Sequence, residues 1–129
     1  MGHDGAVPFQ VIRGRGDLLP VFEGYSVPEG VVGGRPVERI YYHLKNERLA
    51  INAGYWEAEP GVIRFEGFPW NEFCTILEGE LQVAEDGKPP LTLRAGDAFF
   101  ITKDFRGTWT LPVPVRKYFV EALAEGDSP

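Results

Sequence analysis

The stretch PWNEFCTILEGEL, Pro69–Leu81, reads as a turn, an apolar strand and a tight reversal into a second strand. Phe73–Leu77 would pack as a strand without help. What needs explaining is Glu72 at its head, with Cys74 two residues on. In a period-two strand Glu72, Cys74 and Ile76 share one face. If that face is internal, the carboxylate is internal as well, and it must be paired or give up its charge. The expected answer is that Glu72 points into a barrel.

The surrounding sequence supports a barrel. Sixteen Gly and eleven Pro are spread through the 129 residues, not gathered in one tract. They punctuate short apolar or alternating segments at about 8–12-residue spacing, the pattern of a β-sandwich or barrel. Strands are expected at Ile40–Leu44, Leu49–Glu57, Val62–Glu66, Glu72–Leu77, Glu80–Glu85, Leu91–Arg94, Ala98–Thr102, Gly107–Leu111 and Val115–Leu123. Between them, Pro60-Gly61 fits a type II turn and Asp86-Gly87 a hairpin turn. Gly79 and Gly96 stand where a tight reversal leaves no space for a side chain. Lys45–Arg48 reads as a turn, and no long 3.6-residue period appears. Residues 1–36, rich in Gly and Pro, read as an extended arm with about one strand, and residues 37–129 as a single barrel domain.

Composition narrows the function. Hydrophobic residues make up 43% and charged residues 25%, an ordinary globular balance for one domain. The net charge of −6, without a basic run, argues against nucleic acid and anionic membranes as partners. No apolar run is long enough to span a bilayer, and the N-terminus does not read as a secretory signal. A single cysteine forbids an internal disulfide and suits a reducing, cytoplasmic setting. With only His3 and His43, one chain cannot build a three-histidine metal centre.

Several residues fall in an order that resembles the cupin superfamily. They are Trp56, Pro60-Gly61, Glu72, Cys74, Ile76–Glu80, Gly96-Asp97, Thr108-Trp109 and Arg116–Tyr118, spread over roughly half the chain. The order is most similar to short cupins related to (S)-ureidoglycine aminohydrolase. The resemblance implies an all-β jelly-roll barrel and a homodimer, in which the N-terminal arm could add a strand to the partner.

Metal-binding cupins hold their metal with three histidines and a glutamate. Glu72 stands seven residues before Gly79, the spacing of that glutamate and the motif glycine. The upstream histidines would lie within Arg64–Trp70, where Glu66 is the only potential ligand. The downstream one would fall at or beside Gly107. One ligand position out of four is kept, so the expectation is a barrel without a metal cofactor. His43 and Cys74 would be an improvised donor set.

The candidate site residues follow. Glu72 and Lys117 are taken as an acid/base or ion pair, because Lys117, Phe119 and Glu121 share one face of the last strand. Cys74 is taken as lining the site or acting as a nucleophile. Trp56 and Trp109 offer walls on which a flat ligand can stack. Arg64 and Tyr118 are candidate ligand contacts, Arg64 through its carboxylate-binding fork. The leading expectation is a barrel that binds or transforms a small polar metabolite without a metal, any turnover being proton transfer. The alternatives are a metal-dependent aminohydrolase-like enzyme and a non-catalytic sensor or dimeric assembly module.

Overall fold

The computed structural model describes residues 9–123, and His3 lies outside them. Among the described residues, eleven strands form two antiparallel sheets. The first sheet has the order β1-β3-β4-β11-β6-β9. Its strands are β1 (Phe22–Gly24), β3 (Glu38–Asn46), β4 (Ile51–Ala58), β11 (Val115–Ala122), β6 (Asn71–Glu78) and β9 (Ala98–Ile101). The second has the order β2-β5-β10-β7-β8, formed by β2 (Val31–Gly34), β5 (Gly61–Phe65), β10 (Gly107–Leu111), β7 (Glu80–Glu85) and β8 (Leu91–Arg94). All nine expected strands are present, within a residue or two at each end. The only helical element among the described residues is a 3-10 turn at Pro28–Gly30. The architecture is an all-β jelly roll, as the sequence indicates.

The alternation that produces it is clean. On β5 and β10 every second residue is buried, so Ile63, Phe65, Trp109 and Leu111 face inward while Arg64, Thr108 and Thr110 face out. On β11 Val115, Lys117, Phe119 and Glu121 face inward by the same rule. The inner faces of both sheets merge in one core of Trp56, Ile63, Phe65, Phe68, Cys74, Ile76, Leu81, Trp109, Leu111 and Phe119.

The N-terminal segment does more than expected. It carries two strands, and both complete this chain's own sheets, β1 on β3 and β2 on β5. Further upstream, the Arg15 guanidinium lies 4.7 Å over the Tyr41 ring and pairs with Glu57 at 3.1 Å, covering part of the first sheet's outer face. The turn at Glu59–Val62 also differs from expectation. Gly61 is absent from the glycines with positive φ, so the type II geometry does not form. Glycine is needed there because an added Cβ would come within 2.5 Å of the Pro36 ring.

Gly79 does bear out its expected role. It turns the chain from β6 to β7 with φ +90°, and an added Cβ would overlap the Pro114 carbonyl oxygen. Conformation and space therefore both exclude a side chain. Gly79→Ala is expected to lower unfolding stability by about 2–3 kcal/mol, read as a lower urea midpoint. An unchanged midpoint would contradict this account of the turn.

Candidate functional site

The inner face of the first sheet carries charge where a core would be apolar. Glu38, Glu72, Lys117 and Glu121 are all buried, each at 5% exposure or less. Strand register places them. Glu121 lies directly opposite Glu72 on β6 and Asn52 on β4, and Lys117 lies opposite Trp56. The same unbroken register sets Lys117 opposite Ile76, and the β11–β6 pairing slips only beyond it, where Arg116 lies opposite Glu78. The Lys117 ammonium reaches Glu72 Oε1 at 3.7 Å.

Four aromatic rings surround that ammonium. Trp56 and Trp109 face it at 4.7 Å, Phe99 at 5.6 Å and Phe68 at 5.9 Å. Each π-face attracts a cation. Burial strips the ammonium of water and favours deprotonation, but the Cys74 sulfur and the Glu72 carboxylate outweigh this, so Lys117 holds its proton above the usual lysine range. Cys74 is itself pushed up to about 12, chiefly by burial, and is a neutral thiol at physiological pH. The Glu72 carboxylate, 3.7 Å away, is the closest ion-pair partner of the Lys117 ammonium.

The other two carboxylates differ from each other. Glu38 is fully engaged: its Oε1 accepts from Trp56 Nε1 at 2.9 Å and the Ser26 hydroxyl at 2.7 Å, and its Oε2 from the Ser26 backbone at 2.9 Å. Glu121 has only neutral donors, the Tyr42 hydroxyl at 3.3 Å and Asn52 Nδ2 at 3.2 Å, both on Oε1. Its pKa is pushed up to about 7 by burial first, and then by the charge of Glu72. The Tyr42 hydroxyl is pushed up as well, by burial and by Glu121.

These groups border two cavities. An inner chamber of about 50 Å³ is lined by Glu38, Trp56, Phe68, Glu72, Trp109 and Lys117, among others. A wider vestibule of about 410 Å³ is lined by Val21, Phe22, Tyr42 and Lys45. Ser26, Ile40, Trp70 and Glu121 line both, so the two adjoin and Glu121 stands between them. Trp109 is 1% exposed, and its indole N–H has no acceptor among the described residues.

The sequence candidates divide accordingly. Glu72, Lys117, Trp56 and Trp109 meet at the chamber. Cys74 lies just behind it, fully buried, its thiol 3.5 Å from Glu72 Oε1. With no thiolate and no opening to the chamber, it serves Glu72 as a hydrogen-bond donor, not as a nucleophile. Arg64 and Tyr118 do not join the site. Arg64 is on the outer face of β5, bound to Glu66 at 2.9 Å and Asp86 at 2.6 Å, and it holds both carboxyls below their usual range. Tyr118 faces outward beside Tyr55 and His43. Alternation had already put Tyr118 opposite in face to Lys117, so that signal was legible. Glu38, Tyr42 and Trp70 were missed, having no motif to mark them. Glu121 had one sign, its shared face with Lys117.

The donor set does not fit a metal. No three His, Cys, Asp or Glu side chains converge suitably among the described residues. His43 is on the outer face, and exposed Glu66 is tied to Arg64 and Arg106. The ring of Phe68 lines the chamber from the stretch where the upstream histidines were expected. An ammonium beside Glu72 would also repel a divalent cation.

Comparison with known proteins agrees with this fold. No functionally curated protein matches the chain. Among solved structures, a protein described as ethanolamine utilization protein Q from Salmonella typhimurium LT2 is similar at 25% identity, TM-score 0.55, over 66% of this chain and 68% of its own. The EutQ protein of Clostridium difficile is similar at 19% identity, TM-score 0.59, over 70% and 71%. A DUF861-family protein of unknown function from Pseudomonas syringae pv. tomato matches 81% of this chain at 20% identity and TM-score 0.71, and the match covers 43% of that protein. A family description of the EutQ-like cupin domain matches residues 47–119, more than half the chain, and the protein belongs to that cupin family.

Proposed function

We propose that this protein binds a small polar metabolite inside the barrel, with its polar end at Lys117, Glu72 and Glu121 and its body in the vestibule. The supporting observation is a pair of adjoining cavities bordered by Trp109 Nε1, a buried donor without a partner among the described residues, and by Glu121, whose two hydrogen bonds both fall on Oε1 and leave Oε2 for a guest. A buried unpaired donor such as the Trp109 indole N–H costs about 1–3 kcal/mol, and a guest carrying an acceptor recovers it. The chamber holds only a few heavy atoms, and the vestibule is of ligand size.

The chemistry open to these groups is proton transfer. Lys117 is a fixed cation, and Glu121 exchanges its proton near neutrality, where a general acid or base works best. Isomerisation or deamination would use such a pair. An aminohydrolase mechanism would instead need a metal that the donor set does not suit.

Removing half of the ion pair leaves a charge buried alone. Lys117→Met is expected to cost about 3–5 kcal/mol, and adding Glu72→Gln should restore most of that. Thermal-shift screening of small polar metabolites should find compounds that stabilise the wild-type protein and fail to stabilise the folded double variant. Hits whose shifts survive in the double variant would reject this site.

Glu121 also predicts a pH signature. Its usual value of 4.5 rises to about 7 on folding. Between these values the folded protein keeps a proton that the unfolded chain has released, so stability falls as pH rises across that window. The groups facing it are Tyr42 on β3, Asn52 on β4, Glu72 on β6 and Lys117 on its own strand, with Lys45 at the rim. Glu121→Gln cannot titrate. Its unfolding midpoint should drop less than that of the wild type between about pH 5 and pH 7; equal drops would refute the assignment.

A further inference from the structure

The cavities name a class of ligand. Around the chamber and its mouth, three buried carboxylates, Glu38, Glu72 and Glu121, face one buried ammonium, Lys117. Glu38 is satisfied by Ser26 and Trp56. Glu72 has Lys117 and the Cys74 thiol. Neither Glu38 nor Glu121 has a cation in contact, but both Glu38 oxygens accept hydrogen bonds, whereas those of Glu121 are unequally used. Both hydrogen bonds of Glu121 converge on Oε1, leaving Oε2 without a partner among the described residues in a side chain that borders both cavities.

The vestibule in front of Glu121 is walled by Phe22, Tyr42 and Trp70. Aromatic faces beside a buried carboxylate suit a cation with an apolar body. The Tyr42 ring already accepts one, since the Lys45 ammonium lies 5.3 Å over it. Lys45 is exposed at the rim, where solvent and salt screen it, whereas Glu121 is 3% exposed. The field deep in the vestibule is therefore set by Glu121 and favours positive charge.

We propose that the ligand of this barrel is an organic ammonium ion, with its nitrogen against Glu121 Oε2 and its apolar substituent among Phe22, Tyr42 and Trp70. This rests on the preceding reading that the barrel binds a small molecule, and goes beyond it by fixing the ligand's charge and orientation. An anion meets Glu121 and Glu72 head-on. A neutral guest gains only buried area.

The test uses three probes sharing one ring and differing in the head: 2-phenylethylammonium, 2-phenylethanol and phenylacetate. Affinities for the purified protein are measured calorimetrically at about pH 8, above the raised Glu121 value, so that the carboxylate is ionised. The ammonium should bind at least about ten-fold more tightly than the alcohol, with phenylacetate weakest. Glu121→Gln should erase that preference and leave the alcohol nearly unchanged. Trp70→Leu, which keeps the carboxylate, should weaken the ammonium more than the alcohol. Phenylacetate binding most tightly, or Glu121→Gln retaining the ammonium preference, would overturn the ligand class. If the alcohol and phenylacetate bind in a Trp70-dependent way without an ammonium preference, the barrel site stands and the ligand class falls. If no probe binds at millimolar concentration, both fall.

Discussion

The interior of this barrel is organised by one buried ion pair, Lys117 with Glu72. Buried ion pairs seldom improve on apolar packing, yet half of such a pair is costly. Each residue therefore requires the other. Their meeting depends on strands that are distant in sequence but adjacent in the sheet, β6 and β11, and on the unbroken register from Lys117 to Ala122. The four rings around the ammonium come from further apart still: Trp56 from β4, Trp109 from β10, Phe99 from β9 and Phe68 from the loop after β5. The whole jelly roll is needed to assemble this cage.

The pair also shapes what lies beside it. Glu72 and Glu121 are directly opposed in register, and Lys117 is nearer to the needs of Glu72. Burial and this like-charge neighbour leave Glu121 as the group whose proton is exchangeable near neutrality. A rigid charged floor and a titratable mouth thus arise from one piece of strand geometry. The N-terminal segment completes the mouth, because Val21 and Phe22 at the start of the β1 edge wall the vestibule.

Much of this was legible from residues 69–81 and the last strand. Period-two alternation grouped Glu72 with Cys74 and Lys117 with Glu121, without deciding which face of the last strand looks inward, and the structure turns both groups to the interior. The same rule put Tyr118 on the face opposite Lys117, so the two could not both line the barrel. Arg64 was undecidable locally, since its partner Asp86 is 22 residues away on a neighbouring turn. Glu38 and Tyr42 were hidden for another reason. Glu38 lies before the expected start of β3 at Ile40, and no motif marks either residue; the register shift that makes His43 the extra residue comes only after Tyr42. Cavities belong to the packed barrel and have no local sequence signal. The fold could be read from short-range pattern; the division between chamber and vestibule could not.

The account's central claim is that a lysine ammonium, not a metal ion, is the cation paired with Glu72. The most direct test is elemental analysis of the purified, untagged protein, before and after exposure to Mn²⁺, Fe²⁺, Ni²⁺ and Zn²⁺ and removal of the excess. The account predicts metal well below one equivalent in every case, with no difference between wild type and Glu72→Gln. Near-stoichiometric metal that Glu72→Gln abolishes would contradict it and make Glu72 a metal ligand.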